Sequence, residues 1–251
     1  HLGMTSMVVV SCYNQMESQD MPSVDDYYGK GVEIESHMDF LDKHPHPWSL
    51  AEKAFQFLRI MLSSQLISLS GQTGSGKTFA ATLMRNYLIA RNKVIVGKSL
   101  DDSPTMQALT DYAPIELRLT SARKVLDSFG KCGQFNSIES SKFGDISKLY
   151  YEHSGDPAAH FTKRDSPALV GGQIEVLLFK KCTVTCTDDD SRNFNVFYQL
   201  LAGEQTDMYQ ELKHFSLGKP QNYRYLVGKT GASNLSLGSA ENDAAEFDSL
   251  M

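Results

Sequence analysis

The chain has 251 residues, 41% of them hydrophobic, enough for one large α/β domain or for part of a bigger one. A net charge of −6 argues against a general nucleic-acid binder, no apolar run reaches membrane-spanning length, and no secretory signal is visible. Cys12, Cys132, Cys182 and Cys186 are scattered, without a second close pair to complete a zinc site, so reduced structural thiols in a cytosolic protein are expected.

The chain opens at His1 rather than Met and enters an apolar run (Met7–Ser11, a strand candidate) almost at once, as a fragment with a cut start would. Residues 14–36 are polar and interrupted by Met21-Pro22, Gly29 and Gly31, which reads as a long surface connection. His44-Pro45-His46-Pro47 favours an extended entry to a helix over a metal site. Ser49-Leu50-Ala51-Glu52 has the pattern of a capping box, opening a helix to about Met61. Leu50, Ala54, Phe55, Leu58 and Met61 lie along one face of that helix. Gln65 to Ser70 (QLISLS) predicts a short strand and Phe79 to Ala90 a helix.

Between these two lies Gly71-Gln72-Thr73-Gly74-Ser75-Gly76-Lys77-Thr78, which fits the phosphate-loop pattern G-x-x-x-x-G-K-[ST] at every fixed position. Glycines let the turn take positive φ, so that successive backbone N–H groups point at phosphate oxygens. The helix N-terminus adds partial positive charge at the same place. Lys77 would reach the β- and γ-phosphates, and the Thr78 hydroxyl would take a position on Mg²⁺. A second Gly-Lys-Thr at Gly228–Thr230 lacks the earlier glycine and the following helix, and reads as a solvated loop.

Downstream, Arg91 to Pro114 is uneven, with a strand-like Lys93–Val96 and a turn at Asp101–Pro104. Leu117 to Gly130 has helical spacing and a terminal glycine. Gly133 to Gly144 is polar and short of apolar anchors. Ile146 to Glu152 predicts a strand, His153 to Pro167 a hydrophilic loop, and Gln173 to Cys186 a β-rich stretch. Phe194 to Ala202 predicts a helix stopped by Gly203, then a short helix and loop to Tyr223. Val227 to Asp243 is rich in Gly, Ser and Asn, and a further helix begins at Ala244. No internal repeat is present.

Four stretches together resemble the myosin motor head. Pro45-His46 with Ala51-Glu52-Lys53-Ala54-Phe55 looks like the family's P-H-x-x-x-x-A-x-x-A-[YF] helix. The phosphate loop resembles G-E-S-G-A-G-K-T, with Gln72 for the glutamate. Leu126-Asp127-Ser128-Phe129-Gly130 followed by Ser140-Ser141-Lys142-Phe143-Gly144 is similar to L-E-A-F-G and N-S-S-R-F-G-K at unchanged spacing. Gly171-Gly172-Gln173-Ile174-Glu175, then Arg192-Asn193-Phe194-Asn195-Val196-Phe197-Tyr198-Gln199-Leu200-Leu201-Ala202-Gly203, and Tyr223–Leu226, match the later signatures.

The resemblance implies a phosphate-loop NTPase of α/β class, with a central, mostly parallel sheet flanked by helices. It implies the amino-terminal portion of a divergent, unconventional myosin motor domain: a nucleotide-binding part over residues 1–100, then switch I and an upper part over 101–251, ending before switch II. The implied ligands are ATP and Mg²⁺, held by residues 71–78, with Thr78 and Ser141 on the metal. Ser140, Ser141, Lys142 and Gly144 would close over the γ-phosphate and, with Lys77, make up the catalytic set. Actin filaments would be the partner, through elements mostly outside this chain, with light chains beyond it, in the cytoskeleton of the cytoplasm. No nucleic-acid partner and no membrane span are expected.

The chain also departs from the pattern. Val10-Ser11-Cys12-Tyr13 stands where the family has V-N-P-Y, and Ser11 lacks the two-sided amide that would read adenine. Lys142 replaces an arginine that pairs with a switch II glutamate; it keeps the charge and loses the planar fork, so slower hydrolysis is expected. Glu139 and Asp145 replace asparagine and lysine. The switch II pattern D-I-x-G-F-E is absent: Asp26–Gly29 and Asp127–Gly130 carry D-x-x-G without Phe-Glu. Hydrolysis by the fragment alone is therefore expected to be poor or nil. Two alternatives stand beside the motor: a degenerate head that holds nucleotide, or nothing, as a tether, and another phosphate-loop ATPase, kinesins being nearest. Kinesins share G-Q-T-G-S-G-K-T but have S-S-R-S-H where Phe143-Gly144 stands here.

Overall fold

A computed structural model describes residues 6–9, 24–28, 34–95, 115–134, 137–152, 167–185, 191–206, 209–227 and 240–251. The chain divides into two compact units, one of His1–Tyr112 with Leu149–Gly172, the other of Ala113–Lys148 with Gln173–Met251.

In the first unit the described helices are α1 (Val24–Tyr27), α2 (Ile34–Lys43), α3 (Pro47–Met61) and α4 (Lys77–Ile95). The reading of residues 14–36 as surface connection fails where it can be tested: Tyr27 and Tyr28 are buried in the core with Leu41, Ala51, Met84 and Tyr87. Their rings hold one another edge-on or tilted, Tyr27 against Phe40 and Trp48 and Tyr28 against Tyr87, with centroids 5.1–5.7 Å apart. A polar stretch with two adjacent aromatics thus becomes a lid on the helices. Helix α3 starts earlier than the Ser49 box suggested. His46 is the cap, its Nδ1 accepting from Trp48 N at 3.2 Å while Ser49 Oγ accepts from His46 N at 3.2 Å. The buried stripe of α3 is also rotated from the apolar face expected, because Glu52, Lys53 and Gln56 go inside with Ala51 and Phe55.

Glu52 is fully buried and accepts four hydrogen bonds: from Arg91 Nε (2.5 Å) and Nη2 (2.7 Å), Tyr87 OH (2.8 Å) and Gln56 Nε2 (2.6 Å). The Arg91 guanidinium lies 4.1 Å over the Phe55 ring. Burial, then the Glu52 charge, pushes the Tyr87 hydroxyl far above its ordinary range, so it stays a donor. This network bolts α4 to α3.

The predicted strand at Gln65–Ser70 is irregular backbone, with Leu66 86% exposed and Ile67 packed on the core. Alternating apolar residues make a strand only where another strand completes the ladder, and no described residue does so here. Residues 7–9 of the first strand candidate are likewise irregular; residues 10 and 11 lie outside the described residues. Lys93–Ile95, strand-like in sequence, extend α4 by helix propagation.

The second unit contains α5 (Ile115–Gly130), β1 (Lys131–Gln134), β2 (Ser137–Ser141), β3 (Gly144–Glu152), β4 (Ala168–Leu177), α6 (Cys182–Thr185), β5 (Ser191–Phe194), α7 (Asn195–Gln205), α8 (Gln210–Lys213) and α9 (Ala240–Asp248), β3 and β4 each crossing the unit boundary. In the polar stretch 133–144, expected to lack anchors, the described residues belong to small sheets and the bend between them. Strands run in the order β2-β1-β5, antiparallel, with Lys131 opposite Ser141 and Cys132 opposite both Ser140 and Phe194. A bulge falls between Cys132 and Gln134. Strands β3 and β4 form a separate pair, antiparallel because Gly144 lies by Leu177, Lys148 by Glu175 (2.5 Å) and Tyr150 by Gly171, one number rising as the other falls. The fold is therefore mixed helix and sheet, but the sheets among the described residues are small and antiparallel, and a central parallel sheet is not formed there. The end of the expected β-rich stretch, Cys182–Thr185, is a helical turn.

Gly203 does not stop α7, which runs to Gln205. It admits Phe247 of α9 instead: a Cβ there would sit 2.5 Å from Phe247 Cε1 and 2.9 Å from Cγ. The same two helices share a Gln199–Glu246 hydrogen bond of 2.6 Å, and Arg192 of β5 makes a buried ion pair with Asp243 of α9 while lying 3.9 Å over Tyr198. No helix among the described residues is long and apolar enough to cross a membrane.

Candidate functional site

The expected site residues divide between the two units, the phosphate loop in one and residues 140–144 in the other. In the loop, Gly74 and Gly76 take φ of +82° and +83°, and α4 begins at Lys77 directly behind them. A side chain at Gly76 would meet nothing within 4 Å. It is the left-handed backbone, not crowding, that calls for glycine there, and the space over it is open. Ser75 N donates to Gln72 O (3.2 Å), and Ala80 N to Gly76 O (2.9 Å) closes the first helical turn. Lys77 arches back over the loop, Nζ donating to the carbonyls of Gly71 (2.7 Å) and Gln72 (2.5 Å). Gly71, Gln72, Thr73, Gly74 and Ser75 are exposed, while Lys77 and Thr78 are half-buried.

This set suits a magnesium polyphosphate. It offers amide donors at a helix N-terminus, one ammonium held by carbonyls it can exchange for phosphate oxygens, and one hydroxyl beside it. Mg²⁺ keeps several waters and takes few protein ligands beside substrate phosphates, and in phosphate loops of this pattern the Ser/Thr hydroxyl is one of them.

In the second unit, Ser140 and Ser141 end β2, with Ser140 buried and Ser141 half-buried. Lys142 is 6% exposed, and its Nζ donates to Ser140 Oγ at 3.1 Å. Its backbone is held on both sides: Lys142 N donates to Gly130 O (2.8 Å), and Lys142 O accepts from Lys180 N (2.7 Å). Gly144 opens β3. Cys132, opposite Ser140, is buried; burial pushes its thiol up, while Lys142 and Lys180 nearby pull the other way.

Sequence reading missed what surrounds this segment. Arg123 of α5, with a 7% exposed side chain, pairs with Asp145 (2.9 Å) and Asp127 (2.9 Å) and lies 5.6 Å over the Phe143 ring. The Arg123–Asp127 spacing of four on a helix was a readable signal; the link to Asp145 was not. The adenine-end residues Ser11–Tyr13, and Gly228–Thr230, lie outside the described residues.

The sequence pattern of one family, described as myosin head (motor domain), matches residues 3–250. The chain belongs to the myosin motor-domain family. Myosin heavy chain 95F of Drosophila melanogaster is 32% identical over 186 residues, 74% of this chain and 12% of that protein. Unconventional myosin-Ic of Gallus gallus is 28% identical over 222 residues, 88% of this chain and 18% of the relative. Unconventional myosin-VI of Homo sapiens is 27% identical over 207 residues, 82% and 13% respectively. This myosin head sequence thus spans under a fifth of the length of each.

Proposed function

We propose that the chain is the ATP-binding portion of an actin-based, cytoskeletal motor in the cytoplasm, a myosin ATPase when whole, with its sheet completed into the parallel array of phosphate-loop NTPases. The observation that carries this reading is the loop 71–78: two left-handed glycines, open space at Gly76, and Lys77 arched over the carbonyls at the start of a helix. In this reading the loop amides and Lys77 would orient the β- and γ-phosphates, Thr78 and Ser141 would hold the metal, and Ser140, Lys142 and Gly144 would shut the site against water. Magnesium, when bound, neutralises charge on the transferring phosphoryl group. Actin, and any light chains, would be engaged through segments other than those described.

A second reading, a head that holds nucleotide as a tether without turnover, is favoured by one observation. Lys142 replaces the forked arginine with a single ammonium, and that ammonium turns to Ser140. One experiment with two readouts addresses both. Retention of a fluorescent ATP analogue in Mg²⁺ by the whole chain should fall at least about tenfold with Lys77→Ala, since charged hydrogen bonds are each worth roughly 1.5–3 kcal/mol. Unchanged retention removes the phosphate-loop assignment. Single-turnover hydrolysis in a head carrying switch II then separates motor from tether.

A further inference from the structure

We infer that Arg123 is a positioning residue that sets where the Ser140 and Ser141 hydroxyls stand, by stapling the end of switch I to helix α5. The inference rests on the phosphate-closing role proposed above for residues 140–144.

Three contacts, all within the second unit, make the staple. One edge of the Phe143 ring packs against Gly130, the last residue of α5, where any Cβ would run into the ring. Lys142 N donates to the Gly130 carbonyl at 2.8 Å, tying backbone to backbone at the same point. Arg123, one to two turns back along α5, reaches over Phe143 and takes Asp145 at 2.9 Å. Its other acidic partner, Asp127, lies one turn ahead on α5 and pairs also with Lys131 at 3.0 Å; the Arg123 Nε–Asp127 Oδ1 approach is close in charge but lacks hydrogen-bond alignment, so it neutralises the guanidinium without fixing its direction.

The geometry therefore holds the strand end from both sides. Phe143 and Asp145 flank Gly144, and both are pinned to one rigid helix; Ser140 and Ser141 lie immediately before, in register with Cys132 and Lys131. A loop that closes over a terminal phosphate works by exchanging an ordered for a released state. An ion pair made by a guanidinium whose side chain is only 7% exposed biases that exchange toward order. Asp145 makes this possible: a lysine at this position would face Arg123 with like charge and open the staple. The departure at Asp145 thus trades a mobile switch for a slow one, and slow release of a triphosphate ligand is the functional consequence.

The test uses the whole chain with three variants: Asp145→Lys, the shape-conserving Asp145→Asn, and Asp145→Lys combined with Arg123→Glu and Asp127→Asn, which restores opposite charges without setting two carboxylates together on α5. Two readouts are taken, tryptic cleavage after Lys142 and the dissociation rate of a fluorescent ATP analogue in Mg²⁺, each at matched thermal stability. Asp145→Asn and Asp145→Lys should speed both by about tenfold or more, and the reversed pair should bring both back toward the parent. Faster cleavage with unchanged analogue release makes Arg123 structural only and overturns the positioning role. If neither readout moves, the staple itself is refuted. If the parent retains no analogue at all, the phosphate reading fails and this role falls with it.

Discussion

Replacing Glu52 by leucine is the sharpest test of how the phosphate-loop helix is held. The carboxylate is fully buried and is the acceptor for Arg91, Tyr87 and Gln56 at once, while the Arg91 side chain is 9% exposed. Removing one partner of such a pair strands a guanidinium in a desolvated pocket, a loss of about 3–5 kcal/mol. Against a total stability of roughly 5–15 kcal/mol that is a large fraction. With a urea slope near 2 kcal/mol per molar, the unfolding midpoint should drop by about 2 M. Urea titration followed by far-UV circular dichroism measures it. The decisive arm is Glu52→Leu with Arg91→Leu, where both charges leave together. Exchanging a whole buried pair for apolar side chains is often close to neutral, so the double variant should regain more than half of the loss. A single-variant shift under about 0.5 M, or a double variant no better than the single, would refute the claim that Glu52 serves to neutralise Arg91 and bind α4 to α3.

Further outcomes follow from other contacts. Gly203→Ala forces a methyl into the Phe247 ring and should cost about 1–3 kcal/mol, with Phe247→Leu in the same chain recovering part of it; thermal melts decide, and an unaffected melt would break the α7–α9 packing account. Burial, opposed by Arg192, raises the Asp243 carboxyl above its ordinary 3.8. The native state then binds that proton more tightly than the unfolded chain, so this contribution is whole below the ordinary value and is lost as pH rises through the raised one. Asp243→Asn should remove the slope, and urea midpoints that vary alike in parent and variant between roughly pH 3 and 7 would contradict it. Cys132, buried and with its thiol pushed up, should resist iodoacetamide at neutral pH until urea is added, as peptide-resolved mass spectrometry reports; prompt native labelling would show strand β1 opening instead.

The family and the backbone of the glycine loop 71–78 were legible in one dimension because their determinants are local. Left-handed backbone at Gly74 and Gly76 and a helix starting at Lys77 are set by residues within one turn of each other. Helix α3 was legible for the same reason, although its cap moved from Ser49 back to His46, since either residue can accept from the first turn. The short strands β1 and β2 were not legible, because their polar sequences carry no period and the second partner of β1, strand β5, lies more than fifty residues away. Conversely, Gln65–Ser70 has the alternation of a strand and lies unpaired, since periodicity specifies a face and not a partner.

The sequence by itself named the atoms proposed to grip a magnesium polyphosphate: the amides of a glycine loop and the Lys77 ammonium for the phosphates, and the hydroxyls of Thr78 and Ser141 for the metal. Only the tertiary structure decided what holds those groups in place. Glu52 finds Arg91 across two helices and Arg123 finds Asp145 across a strand end, and nothing in the spacing of either pair announces it. The physical reason is that local backbone preference acts over a turn, whereas a buried charge is tolerated only where the packed fold delivers its counter-charge.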